Sequence, residues 1–228
     1  MARKGKNYVA ALNKIEPKKV YSISEAVETV KAAKFAKFNE TVCVSFRLGL
    51  DPKQADQQIR GAMVLPNGTG KSKVVLAITH NEEAAKQAGA DFVGGKEILD
   101  KIKNENWFGF DVIVATPDMM GELGKMGKVL GPKGLMPNPK TGTVSPDIAK
   151  AIAEQKAGKV NYRLDREANM HVICGQIDFP TEKLVENIKA ICGQILRVKP
   201  AACKGTYIRN CVLSSTMGPA VKMNPEAE

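Results

Sequence analysis

Few residues in this 228-residue chain are spaced for bond-making chemistry. Gly68-Thr69-Gly70-Lys71-Ser72 ends like a phosphate-binding loop, but that motif needs a glycine five residues before Gly70, where Leu65 stands. It also needs a helix to follow, and the residues after Ser72 read as a strand. His80 and His171 have no nucleophile or carboxylate partner at motif spacing. The five cysteines (Cys43, Cys174, Cys192, Cys203, Cys211) include no pair two residues apart and sit among apolar or small neighbours. They read as buried reduced thiols rather than a disulfide frame or a zinc site. No Gly-x-Gly-x-x-Gly opens a helix, so a dinucleotide site is not predicted. The reading is of no catalytic residue, no metal and no cofactor.

The chemistry that the chain does suggest is contact with a polyanion. Lys and Arg number 34 against 24 acids, a formal net charge of +10, which favours nucleic acid or another anionic surface as partner. Three stretches could make that contact. Gly121–Val144 holds six glycines, three prolines and four lysines (Lys125, Lys128, Lys133, Lys140) against one acid. Its glycines and prolines argue against regular helix or strand, leaving a basic loop with apolar anchors at Met126, Val129, Leu130, Leu135 and Met136. Lys37-Phe38-Asn39-Glu40-Thr41 joins a predicted helix to a predicted strand. Ser214-Ser215-Thr216-Met217-Gly218-Pro219 ends the last predicted strand with hydroxyls, a thioether and a Gly-Pro turn. If those two strand ends share one sheet edge, Lys37, Phe38, Thr216 and Met217 come together. Hydroxyls and peptide groups there would suit 2′-hydroxyls and phosphates, and Phe38 and Met217 would suit sugar or base.

These stretches need a frame, and the patterning supplies one. Ser22-Ile23-Ser24-Glu25 has the form of a capping box, with Ile23, Val27 and Val30 at helical spacing, predicting a helix over 22–34. Val42, Val44, Phe46, Leu48 and Leu50 alternate with smaller or polar residues, predicting a half-buried strand whose apolar face meets that helix. A second strand is predicted over 58–65. Then the style changes: strands at 73–79, 91–93 and 111–115 alternate with helices at 81–89 and 96–106, the pattern of a parallel sheet. Ser145 is the expected cap of a closing helix to about Gly158. Beyond Lys159, strands at 160–164 and 170–174 flank a predicted hairpin turn. A helix follows with Leu184, Ile188, Ile191 and Ile195 on one stripe, then a strand over 207–214 and a frayed tail. The first nineteen residues, with Arg3 and Lys4 among six bases, read as a basic tail.

The chain therefore reads as an α+β domain built from both ends, 1–66 and 160–228, interrupted by an α/β insert, 67–159. Charge divides the same way. The insert has 13 lysines and 11 acids, net +2, leaving +8 to the discontinuous domain. The grip on RNA is expected there, with the insert carrying a secondary patch. No apolar run approaches the roughly 20 residues needed to span a bilayer, and the basic, charged start does not read as a secretory signal. No membrane partner and a cytoplasmic location are the expectation.

Longer motifs carry a resemblance. KFNETV, DPKQADQQIRGAMVLPNGTGK, GKVLGPKGLMPNPKTGTV and KGTYIRNCVLSSTMGP, in that order, resemble the family of the first protein of the large ribosomal subunit, the stalk protein, in its bacterial form. The similarity runs from about Ala2 to Met223. It implies a discontinuous two-layer α+β domain that binds rRNA and an inserted Rossmann-like three-layer α/β domain. It implies binding to the mobile stalk of the large rRNA, help for deacylated tRNA leaving the exit site, and repression of its own operon through a similar messenger element. It further implies a non-enzymatic protein, monomeric when off the ribosome. By motif match the rRNA and mRNA contacts are Lys37, Phe38, Glu40, Thr41, Ser214, Thr216, Met217, Gly218 and Pro219. The sequence departs from the family at Arg163-Leu164-Asp165-Arg166, where Arg-Asn-Asp-Lys is usual. It departs again at Ala168, where glycine is common, and at Gln176, where lysine is common.

Overall fold

The computed structural model describes residues 5–79, 82–105 and 107–225. Arg3 and Lys4 of the expected basic tail, His80, Asn81 at the expected helix start and Asn106 at a helix end lie outside them. The chain divides into two compact units, Met1–Gly70 with Val160–Glu228, and Lys71–Lys159. In chain order the first unit contributes α1 (Lys6–Leu12), α2 (Ile23–Ala32), β1 (Thr41–Leu48) and β2 (Arg60–Val64). The second holds β3 (Val75–Ile78), α3 (Glu82–Gln87), β4 (Phe92–Gly94), α4 (Lys96–Glu105), β5 (Val112–Ala115), α5 (Met120–Lys125), α6 (Gly127–Leu130) and α7 (Ile148–Lys156). The chain then returns through β6 (Lys159–Arg163), β7 (Asn169–Gln176), α8 (Thr181–Arg197), β8 (Ile208–Ser215) and β9 (Val221–Lys222).

Among the described residues, the first unit has a four-stranded sheet of order β7-β1-β8-β9, antiparallel throughout, and a two-stranded sheet of β2 and β6. The strict alternation of β1 puts Val42, Val44, Phe46 and Leu48 into the core. They meet the stripes of α2 (Ile23, Ala26, Val27, Val30) and α8 (Leu184, Ile188, Ile191, Ile195) in one cluster. The Ser22 capping box forms in both directions, and its backbone bond holds the Glu25 carboxyl below its ordinary range.

The second unit is a parallel sheet of order β4-β3-β5, covered on both faces. Every residue of β3 is buried, as a strand between two helical layers requires. Val75, Ala77 and Val114 meet Ala85, Ile148 and Ile152 on one side. Leu76, Ile78 and Ile113 meet Leu99, Ile102, Leu123 and Leu130 on the other. The fold is thus mixed, an α+β sandwich interrupted by a three-layer α/β unit.

Several expectations fail locally. The glycine-rich stretch is only partly irregular: α5 runs into it from Met120, α6 and a 3₁₀ turn at Pro139–Thr141 lie within it, and 131–138 remains without helix or strand. Burial of Leu123, Met126 and Leu130 outweighs the weak helix propensity of its glycines. Asp147, not Ser145, caps α7, accepting from the Lys150 amide, while the Ser145 hydroxyl accepts from the Asp147 amide. The predicted hairpin after Lys159 is closed by a single bridge, Leu164 with Met170, because β6 pairs with β2 and β7 with β1. The tail after Pro219 is docked, not frayed: β9 pairs with β8, and Val221 and Met223 are buried. Part of the expected basic tail is helix α1, with Ala11 buried.

Candidate nucleic-acid interface

Two short segments converge because β1 and β8 are neighbours. The register pairs Val42 with Ser215 and Cys43 with Ser214. The end where β1 enters is therefore the end where β8 leaves. These are the two central strands of the sheet, so the convergence lies at a strand end rather than at the expected sheet edge. There the Thr216 hydroxyl accepts from the Thr41 amide at 3.0 Å and donates to the Thr41 carbonyl at 3.3 Å. It thereby extends the ladder by one side-chain rung past Ser215. The neighbouring Ser215 hydroxyl accepts from the Gly218 amide at 3.2 Å. A β-carbon on Gly218 would stand 2.3 Å from that hydroxyl oxygen, which is why the turn takes glycine.

The fixed frame leaves two large apolar side chains in solvent. Phe38 is 52% exposed and Met217 51%. Lys37 and Asn39 beside Phe38 are also exposed, and Thr41 and Ser214 are half-buried. The half-exposed Phe and Met at the mouth of a hydrogen-bonded clasp are held out of the core by the backbone on either side. Together with a lysine they offer one cation and two polarisable surfaces to a base or ribose.

Two predicted contact residues face inward instead. Pro219 is buried and anchors the turn. Glu40 is fully buried: one carboxylate oxygen accepts from the Ala36 amide at 3.3 Å, and the other has no hydrogen-bond partner among the described residues. The Glu40 carbonyl also accepts from the Ile177 amide at 2.9 Å. Its carboxylate closes the 36–40 loop on itself, so Glu40 shapes the segment that displays Lys37 and Phe38 and does not itself meet solvent. Sequence reasoning missed one support of this loop and a tie from α2, just before it, to the start of α8. Asn39 donates to the Gln176 side chain, and Lys31 donates to the Phe179 carbonyl and the Thr181 hydroxyl. No local pattern links residues some 140 positions apart.

The four lysines of the glycine-rich stretch are exposed, in the second unit. Lys125 lies on α5, Lys128 on α6 and Lys140 in the 3₁₀ turn capped by Asn138. Lys133 differs, since its ammonium sits 3.2 Å from the centre of the Phe108 ring. It is engaged in a cation–π contact that fastens the loop to the aromatic run at Trp107–Phe110.

The sequence profile of the ribosomal protein L1p/L10e family matches residues 30–219. The large ribosomal subunit protein uL1 of Mycoplasma capricolum subsp. capricolum is 55% identical over 224 residues, covering 98% of this chain and 99% of that protein. The chain belongs to the ribosomal protein L1 family. Both segments of the clasp and all four lysines of the second unit fall within the span matched to the L1 family, while α1 and β9 lie outside it. The departures from the L1 pattern now have places. Leu164 is buried, and its amide donates to the Ile59 carbonyl at 2.9 Å. Ala168 has φ of 63°, left-handed and unusual for a residue with a side chain, a conformation that suits the glycine expected there from the resemblance. Gln176 is occupied with Asn39 beside the clasp. Among the described residues, no group of three or more His, Cys, Asp or Glu is arranged to hold a metal, and no helix is long and apolar enough to cross a membrane.

Proposed function

We propose that this L1-family protein binds the rRNA of the large ribosomal subunit at its mobile stalk, using the first unit as the grip. The clasp of Thr216 on Thr41, which holds Phe38 and Met217 out beside Lys37, carries the reading. A rigid frame with exposed apolar tips selects a folded RNA by shape and packing, while the surplus of basic residues in this part of the chain adds phosphate attraction. Recognition of this kind needs no catalytic group, and the protein acts as a structural component.

Two further roles follow from the same assignment. An exposed lysine patch on the second unit suits contact with a passing deacylated tRNA at the exit site, with Lys125, Lys128 and Lys140 forming no ion pair with a described residue. A clasp that fits stalk RNA also fits a messenger element of the same shape, so repression of its own operon would use the same surface and be mutually exclusive with rRNA binding. The protein acts as a monomer away from the ribosome.

Filter binding of the full chain to an in vitro transcript of the stalk region, beside a scrambled RNA of equal length, tests the central reading. Tight binding to the stalk alone is expected, with a log–log salt slope of several units. Equal affinity for the scramble would reduce the protein to a non-specific basic scaffold. An operon leader transcript should compete with the stalk for a single site; simultaneous binding of both would remove the repression role.

A further inference from the structure

Beyond the clasp, the first unit has a pocket of about 530 Å³ where the N-terminal segment meets β9. Leu12 and Ile15 are among its apolar lining, and Lys18, Lys19 and Lys222 among its polar lining, with Glu16 as the one acid; Ala220 also lines it. The walls are held in place. Lys14 donates to the Ala32 carbonyl at 2.8 Å, and the Glu16 amide donates to the Tyr21 hydroxyl at 3.0 Å. Tyr21 is bridged in parallel to Met223, with its amide on the Lys222 carbonyl at 3.0 Å. Lys18 has φ of 77°, a left-handed conformation that a lysine rarely adopts and that only a constrained surrounding maintains. Lys19 lies over the Tyr21 ring, 4.7 Å from its centre. Lys18, Lys19 and Lys222 are exposed, and none of them forms an ion pair with a described residue.

The place of this pocket gives it meaning. Ala220 follows Pro219 directly, so one wall begins where the clasp turn ends. The parallel bridge of Tyr21 with Met223 sets Lys18 and Lys19 beside the approach to β9, at the same end of the sheet as Thr216 and Met217. Three lysines against the Glu16 carboxylate, with Glu25 near enough to feel the charge of Lys19, leave a net positive surround, and the space is large enough for a phosphate with its sugar.

We infer that this pocket binds phosphodiester groups of the RNA backbone, extending the clasp interface sideways across β9 to the N-terminal segment. The inference rests on the RNA-binding function proposed above. Lys18→Gly/Lys19→Gln/Lys222→Gln removes the three charges and leaves a residue suited to the left-handed position. A control, Lys183→Gln/Lys189→Gln/Lys204→Gln, removes as many exposed charges from the same unit elsewhere. Titration of each full-length variant with stalk transcript over a salt series should show the pocket variant weakened by roughly tenfold near physiological salt, its log–log slope shallower by about two. The control should change by less than about twofold in the same series. Pocket and control variants that behave alike overturn the inference.

Thr216→Val in the same series separates the two readings. If it weakens binding and the pocket variant does not, the pocket assignment alone fails. If neither loses affinity, the RNA interface itself is misplaced and the pocket falls with it. Should the triple variant fail to fold, Lys19→Gln/Lys222→Gln leaves the Lys18 backbone untouched and is expected to keep about two-thirds of the slope change; an unchanged slope counts against the pocket. A calorimetric titration with adenosine monophosphate distinguishes the source of the phosphate. Weak millimolar binding is expected, and saturation at micromolar nucleotide would make this a small-molecule site instead.

Discussion

Thr216 shows how much one hydroxyl can organise. Both of its hydrogen bonds go to the main chain of Thr41, so it acts by placing the loop rather than by reaching for RNA. Thr216→Val keeps the shape and removes both bonds. It should weaken stalk binding by about 1–3 kcal/mol, read by filter binding. Met217→Asp should cost a similar amount by a different route, placing a carboxylate against phosphate; full affinity in both variants, with an unchanged melting curve, would remove the site assignment. Glu40→Gln keeps an acceptor for the Ala36 amide while dropping the charge, and should leave RNA affinity within about twofold, since a side chain with no exposed surface loses no RNA contact. A tenfold loss would show the carboxylate to be a direct contact after all. At Ala168, φ of 63° favours glycine, offset by the buried methyl group. Ala168→Gly should stabilise the fold by about 1 kcal/mol or less, as a shift of the urea midpoint.

At the scale of elements, helix α8 does more than cover the sheet. Asn187, fully buried in it, accepts from the Asn67 amide at 3.1 Å and donates to the Gly68 and Cys174 carbonyls at 3.1 and 2.8 Å. One side chain thereby ties the segment leaving the first unit to both α8 and β7. Asn187→Leu has nearly the right volume but strands one buried and two partly buried main-chain groups. It should destabilise the first unit by about 3 kcal/mol or more in urea unfolding; a change under about 1 kcal/mol would mean that water or rearrangement satisfies those groups. The glycine-rich stretch teaches the reverse lesson. Its short helices stand on apolar residues packed into the second unit, so its sequence reads as a loop while its packing makes it a folded platform for lysines.

For the whole molecule, the division into two units means that grip and patch can be separated. The buried cluster of the first unit draws only on residues of that unit. Replacing residues 71–159 by a short Gly-Ser linker should therefore leave a cooperative fold that binds stalk RNA within about tenfold of the full chain; loss of binding would make the second unit part of the grip. Conversely, Lys125→Gln/Lys128→Gln/Lys140→Gln should spare stalk affinity and slow release of deacylated tRNA in a translocation assay. Lys133→Gln should behave differently, lowering the thermal stability of the second unit through loss of the contact with Phe108.

The local code was enough for what depends on neighbours in sequence. Alternation along β1, the stripes on α2 and α8, the capping box at Ser22 and the apolar run of β3 each follow from the periodicity of a strand or helix meeting water on one side or neither. The convergence of the two segments proposed to face RNA was also legible, because Phe38 and Met217 stand at strand ends among polar or turn residues. Strand order, burial and pairing were not. β6 left its expected hairpin for β2, and β9 closed a tail that looked free. Glu40 turned inward, and Asn39 found Gln176 across the fold. Each of these depends on which distant backbone group lies within hydrogen-bond reach, and a chain acquires those distances only when its core closes.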